Sequence, residues 1–170
     1  MEKLTTERLI LRRFKPSDED EFVEILTHPS VYKFLGDGKG ITIERSKIAM
    51  LNYMFSRGIF AVCEKESGDL IGYSGVRPLP NGEIELLYGF IPNAWGKGFA
   101  TEAGIAVLEY AKENFDIETL IAIAYPKNLG SNGVIKKLGF EYQGQEEYFG
   151  NMLEKYTLNL SKWSIKKDEN

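Results

Sequence analysis

Phe90-Ile91-Pro92-Asn93-Ala94-Trp95-Gly96-Lys97-Gly98-Phe99-Ala100-Thr101-Glu102-Ala103 is the stretch on which the reading of this chain turns. An apolar run from Glu83 to Ile91 leads into it as a strand, and the residues after Gly98 suit a helix rich in Ala, Leu and Glu. Strand, glycine turn and helix in that order leave several N–H groups unpaired at the helix start, where the helix dipole adds partial positive charge. An anion, a phosphate above all, belongs at such a point. Gly96 and Gly98 allow the turn and keep side chains out of the anion's way. The P-loop pattern fails here, because Lys97 lies between the glycines. A dinucleotide fingerprint fails as well, since Thr101 stands where its third glycine would be.

Upstream of the turn, Ile59 to Lys65 and Leu70 to Arg77 read as a hairpin around Glu66-Ser67-Gly68-Asp69, so three antiparallel strands lead into the glycines. Downstream, Ala103, Val107, Leu108 and Ala111 form one face of a helix running to about Asn114, and Ile117 to Ala124 is a nearly all-apolar, central strand. A short helix follows Asn128 and closes at Gly139, weakened by Gly130 and Gly133. Phe140 to Tyr148 and Leu153 to Leu160 make a last pair of strands.

The N-terminal third supplies a short strand at Leu9 to Leu11 and two helices. The first starts at Pro16-Ser17-Asp18 with Ser17 as cap, and ends at His28-Pro29 because a residue before proline avoids the helical region. The second spans Ile41 to Arg57, with Thr42 as cap and Ile48, Leu51, Met54 and Phe55 as its apolar face. His28 is the only histidine and reads as a turn residue rather than a general base.

With 170 residues, 43% hydrophobic and 27% charged, the chain suits one domain over 1–163 followed by a charged tail at 164–170. Met1 to Thr6 lacks the apolar run of a signal peptide, and Cys63 has no disulfide partner, so a cytoplasmic protein without a membrane span is expected. A net charge of -4 and a pI near 5.2 argue against nucleic-acid binding and mildly favour cationic substrates. No His/Cys cluster is present, so no metal is expected.

The phrase Trp95-Gly96-Lys97-Gly98-Phe99-Ala100-Thr101-Glu102-Ala103 resembles the acyl-coenzyme A loop of the GNAT superfamily of N-acetyltransferases, and within it the RimJ/RimL-type branch. Asn93 stands where the general motif has Gln or Arg. A second segment, Asn128, two residues, Ser131, then Lys137-Leu138-Gly139-Phe140, is similar to the same branch, as is the opening phrase Thr6-Glu7-Arg8-Leu9-Ile10-Leu11-Arg12. The resemblance implies a mixed α/β (α+β) domain, a curved and mainly antiparallel sheet with helices on both faces. It implies acetyl transfer from acetyl-coenzyme A to a primary amine, with a protein or peptide N-terminus favoured over a small amine or antibiotic. A non-catalytic acyl-coenzyme A sensor is the alternative, and a homodimer is possible.

By the same resemblance the N–H groups of Gly96, Lys97, Gly98, Phe99, Ala100 and Thr101 hold the pyrophosphate, Phe90 and Ile91 flank the cofactor, and Asn128 binds its pantetheine arm. An attacking amine must lose a proton, and Glu85 on the strand feeding the turn is the candidate base, its rival role being decoration of a solvated sheet face. A backbone N–H near Ile91 serves the developing oxyanion if the strand bulges there. Ile135 occupies the position of the family's usual tyrosine, so Ser131 becomes the donor to the departing thiolate, unless it merely caps its helix.

Overall fold

A computed structural model describes residues 2–165 and shows one eight-stranded sheet in the order β1-β2-β3-β4-β5-β6-β8-β7. The strands are β1 (Lys3–Thr5), β2 (Leu9–Arg12), β3 (Ile59–Glu64), β4 (Leu70–Pro78), β5 (Ile84–Phe90), β6 (Thr119–Ala124), β7 (Glu141–Tyr148) and β8 (Asn151–Asn159). The helices are α1 (Glu19–Thr27), α2 (Pro29–Tyr32), α3 (Ile43–Phe55), α4 (Phe99–Asn114) and α5 (Leu129–Lys137). The expected mixed α/β architecture is therefore observed, with β1 as an edge strand that the polar N-terminus did not announce.

Every neighbouring pair is antiparallel except β5 and β6. A parallel pair needs a crossover, and α4 supplies it. These two strands share a single bridge, Glu85 opposite Ile121, so they part toward their C-terminal ends. The gap lies where ligands enter α/β sheets, beside the starts of the helices that follow the strands.

Strand alternation divides the core between the two faces of the sheet. Phe60 and Val62 point to the side where Ala103, Val107, Leu108 and Ala111 of α4 pack, all six of them fully buried. Ile59 and Ala61 point the other way, toward Phe22 and Ile25 of α1 and Met50 of α3.

Two local readings are corrected. Ser17 caps nothing. Pro16–Asp18 is a 3-10 turn in which the Asp18 carboxylate accepts the Lys15 N–H at 2.7 Å and pairs with both Nη atoms of Arg12 at 2.8 Å. For α3 the Thr42 cap is as expected, accepting from the Arg45 N–H, but the inward face is not. Ser46 and Met50 are buried and Tyr53 packs against the same core; of the expected face Met54 does pack there, whereas Ile48, Leu51 and Phe55 are exposed, Phe55 to 85%. Ser46 can go inside because its hydroxyl donates to the Thr42 carbonyl at 2.9 Å, which satisfies it within its own turn. No helix among the described residues is long and apolar enough to cross a membrane.

Candidate active site

The glycine turn is built from two left-handed residues. Gly96 has φ +73° and Gly98 φ +81°, a region that a residue with a Cβ enters only at a cost. Gly98 is also the N-cap of α4, so the first N–H groups of that helix lie at the edge of the gap. A residue not anticipated from sequence braces the turn. Arg8 donates through Nη1 to the Lys97 carbonyl at 2.8 Å and through Nε to Glu102 at 2.7 Å, and its guanidinium lies 4.4 Å from the Phe99 ring centre. The cluster ties the N-terminal strands to the turn. Burial pushes the Glu102 carboxyl up, but hydrogen bonds from Thr6 and Arg8 outweigh it and leave the group below the usual carboxylate range.

The gap between β5 and β6 opens into a cavity of about 1000 Å³. Phe90, Gly96, Gly98, Phe99, Ala100 and Thr101 line one end, together with Asn128 and Ser131 from α5. Lys97 and Ile91 lie outside the lining. The bulge considered for Ile91 does not form, and its N–H donates to the Ile71 carbonyl at 2.9 Å in an unbroken β4–β5 ladder. Because N–H groups alternate along a regular strand, those of Tyr88 and Phe90 face the gap instead.

Asn128 caps α5, its Oδ1 accepting from the Ser131 N–H at 3.2 Å, which leaves the amide Nδ2 to serve as a donor. Ser131 is therefore not the cap. Its hydroxyl lies 2.7 Å from that of Tyr88, a partner that no local motif singles out. Burial pushes the Tyr88 phenol up, only partly offset by the bond to Ser131. Asn132 anchors the start of α5 by donating to the carbonyls of Tyr125 and Asn128 while accepting from Tyr156.

At the other end of the cavity stands Glu85. It is 4% exposed, which excludes the solvated-face reading, and its Oε1 accepts from Arg77 Nε at 2.6 Å. Burial pushes its carboxyl above the usual range, and the Arg77 guanidinium holds back that rise. Tyr53 and Tyr73 lie beside it, and Phe34 and Leu35 line the same cavity. His28 stays outside, its Nδ1 accepting the Ser30 N–H as a loop residue would. Among the described residues no group of three or more His, Cys, Asp or Glu side chains is placed to hold a metal ion.

The family model for the acetyltransferase (GNAT) domain matches residues 8–141. An uncharacterised N-acetyltransferase of Bacillus licheniformis is 30% identical over 173 residues, covering 95% of this chain and 97% of that protein. Among solved structures, a GNAT-family acetyltransferase from Bacillus anthracis superposes with a TM-score of 0.80 at 23% identity, over 95% of this chain and 100% of its own. Spermidine N-acetyltransferase from Vibrio cholerae, in complex with CoA and spermine, gives a TM-score of 0.76 at 17% identity, over 92% and 98% of the two chains.

Proposed function

Because the chain belongs to the GNAT acetyltransferase family and is an acetyl-coenzyme A-dependent N-acetyltransferase, we propose that its acceptor is the α-amine of a protein or peptide N-terminus, with Glu85 as proton acceptor. The observation that carries the catalytic assignment is the burial of Glu85 in the cavity wall, joined among the described residues only to Arg77, on the strand that leads to the glycine turn. The N-terminal substrate rests on the likeness of the two motif segments to the RimJ/RimL-type branch. A small amine is the competing acceptor.

Acetyl-coenzyme A supplies the activated acyl group, and the residues present suit it. The left-handed glycines and the free N–H groups at the start of α4 would hold the pyrophosphate, and Asn128 Nδ2 would donate to the pantetheine arm. The amine nitrogen forms a bond to the acyl carbon as the carbon–sulfur bond breaks, and its proton passes to Glu85 directly or through one water. Negative charge gathering on the acyl oxygen would meet the N–H of Tyr88 or Phe90 rather than that of Ile91. The sulfur would leave toward Ser131. If Tyr88 donates to Ser131 Oγ, the serine proton is free to point at the thiolate.

The test is acetyl transfer to a set of peptides and small amines by wild type and Glu85→Gln. We expect peptides to be the better substrates, and the variant to lose about 10²- to 10⁴-fold in turnover with unchanged acetyl-coenzyme A affinity. A variant as active as wild type would remove Glu85 from the reaction, and a preference for small amines would remove the N-terminal assignment.

A further inference from the structure

The charge of the cavity has the opposite sign to that of the protein. Glu85 is the only carboxylate among the described residues that line it, against Lys33, Arg77, Lys127 and Lys137, while the whole chain carries -4. Lys127 and Lys137 belong to the end formed by α5 and the glycine turn, where a polyanionic donor accounts for them. Lys33 and Arg77 have no such explanation. Arg77 stands with Glu85 and Tyr53, and Lys33 lines the same cavity from the end of α2, where the neighbouring Phe34 packs against Tyr125.

The single carboxylate there is already matched. Arg77 Nε binds Glu85 at 2.6 Å, and among the described residues this is the one side-chain hydrogen bond that Arg77 makes. Its side chain keeps 37% of its surface accessible, so the two Nη groups of the fork are left to a ligand. Lys33 sits at the end of α2 over the Phe34 ring, 4.8 Å from its centre, with no carboxylate partner within ion-pair distance among the described residues. A cationic acceptor would enter a cavity whose one carboxylate among the described residues is already engaged by Arg77 and whose wall also carries Lys33. The remaining walls are aromatic and aliphatic and offer such an acceptor no negative charge.

We infer that the acceptor carries an anionic group beside its reactive amine, a carboxylate within one or two residues of the N-terminus, received by Arg77 and Lys33. The inference rests on the peptide reading above and narrows it. A polyamine, with a second ammonium beside the one that reacts, is the acceptor this end disfavours. The net charge of the chain would suggest the reverse, but a screened surface charge acts weakly at a distance, whereas Arg77 lies in the wall itself.

The experiment uses three hexapeptides identical except for Glu, Gln or Lys as second residue, with spermidine as fourth acceptor. Binding to the full chain saturated with coenzyme A is read by calorimetry, and turnover with acetyl-coenzyme A is read separately. We expect affinity and kcat/KM to fall in the order Glu, Gln, Lys, with about tenfold between Glu and Lys, and spermidine to be the poorest. Lys33→Glu, a change at an exposed site at the end of a helix, should compress or reverse that order. Equal affinities, a preference for the Lys peptide or spermidine, or no binding by any peptide would overturn the inference. The two readings fail separately: the ordered affinities without turnover would refute the peptide transferase and keep the charge preference, and turnover without the order would do the opposite.

Discussion

Glu85 shows how one residue acquires chemistry from its surroundings. In a strand facing water it would be an ordinary carboxylate. Here the sheet, Tyr53 and Tyr73 enclose it, and its one ionic partner among the described residues is Arg77. Burial raises its pKa, and a raised pKa makes a better proton acceptor provided the group remains ionised at working pH. The sign of the pH effect follows. The base must be deprotonated, so activity should disappear as pH falls through the Glu85 pKa, and it should do so at a higher pH than an exposed glutamate, which titrates near 4.3, would impose. The pH dependence of kcat/KM checks this, and the acid limb should vanish in Glu85→Gln. A limb that survives in the variant would belong to another group.

At the scale of elements, the strand–turn–helix unit of β5 and α4 is the part proposed to hold the cofactor, and the two glycines of its turn differ in their surroundings. A Cβ on Gly96 would meet nothing within 4 Å, whereas one on Gly98 would lie 3.3 Å from Arg8 Nη2. Gly96→Asp is therefore the cleaner probe of anion binding, because an aspartate at 98 would find Arg8 beside it. Asp tolerates the left-handed region better than most residues. We expect Gly96→Asp to weaken acetyl-coenzyme A binding at least about tenfold, as a carboxylate meets the pyrophosphate, with Tm lowered by about a few degrees because the left-handed backbone there disfavours a side chain. Unaltered affinity by calorimetry would show that the pyrophosphate is held elsewhere.

The whole molecule is one sheet with a hydrophobic core on each side, and the sheet is common to both. Phe22 belongs to one core, in edge-to-face contact with Phe14 and Tyr73 at 5.2 and 5.8 Å, and Leu108 belongs to the other. Both are fully buried. Phe22→Ala should cost about 3–5 kcal/mol and Leu108→Ala about 2–5 kcal/mol, and each should lower the midpoint of a single unfolding transition. Calorimetry that resolves two transitions, with one variant moving only one of them, would show that the cores melt independently.

Much of this arrangement is written in local residue order, because strand alternation, helix caps and glycine turns are settled by neighbours in the chain. The strand order along β3, β4 and β5, the glycine turn, the Thr42 cap and the candidate Glu85 could all be found that way, whereas the cap of α5 proved to be Asn128 rather than Ser131. The inward face of α3 could not, since Ser46 turns inward and Phe55 outward only when the helix meets the sheet. Nor could Arg8 at the turn, Tyr88 against Ser131 or Arg77 against Glu85, separated by 89, 43 and 8 residues. Such contacts depend on how strands and helices pack and register, which no short window of sequence contains. So the sequence alone determined the glycine turn at the start of α4 and the carboxylate on the strand that feeds it. Only the tertiary structure decided that this carboxylate is buried beside an arginine, in a cavity whose charge opposes that of the protein, because both are sums over residues that folding brings together.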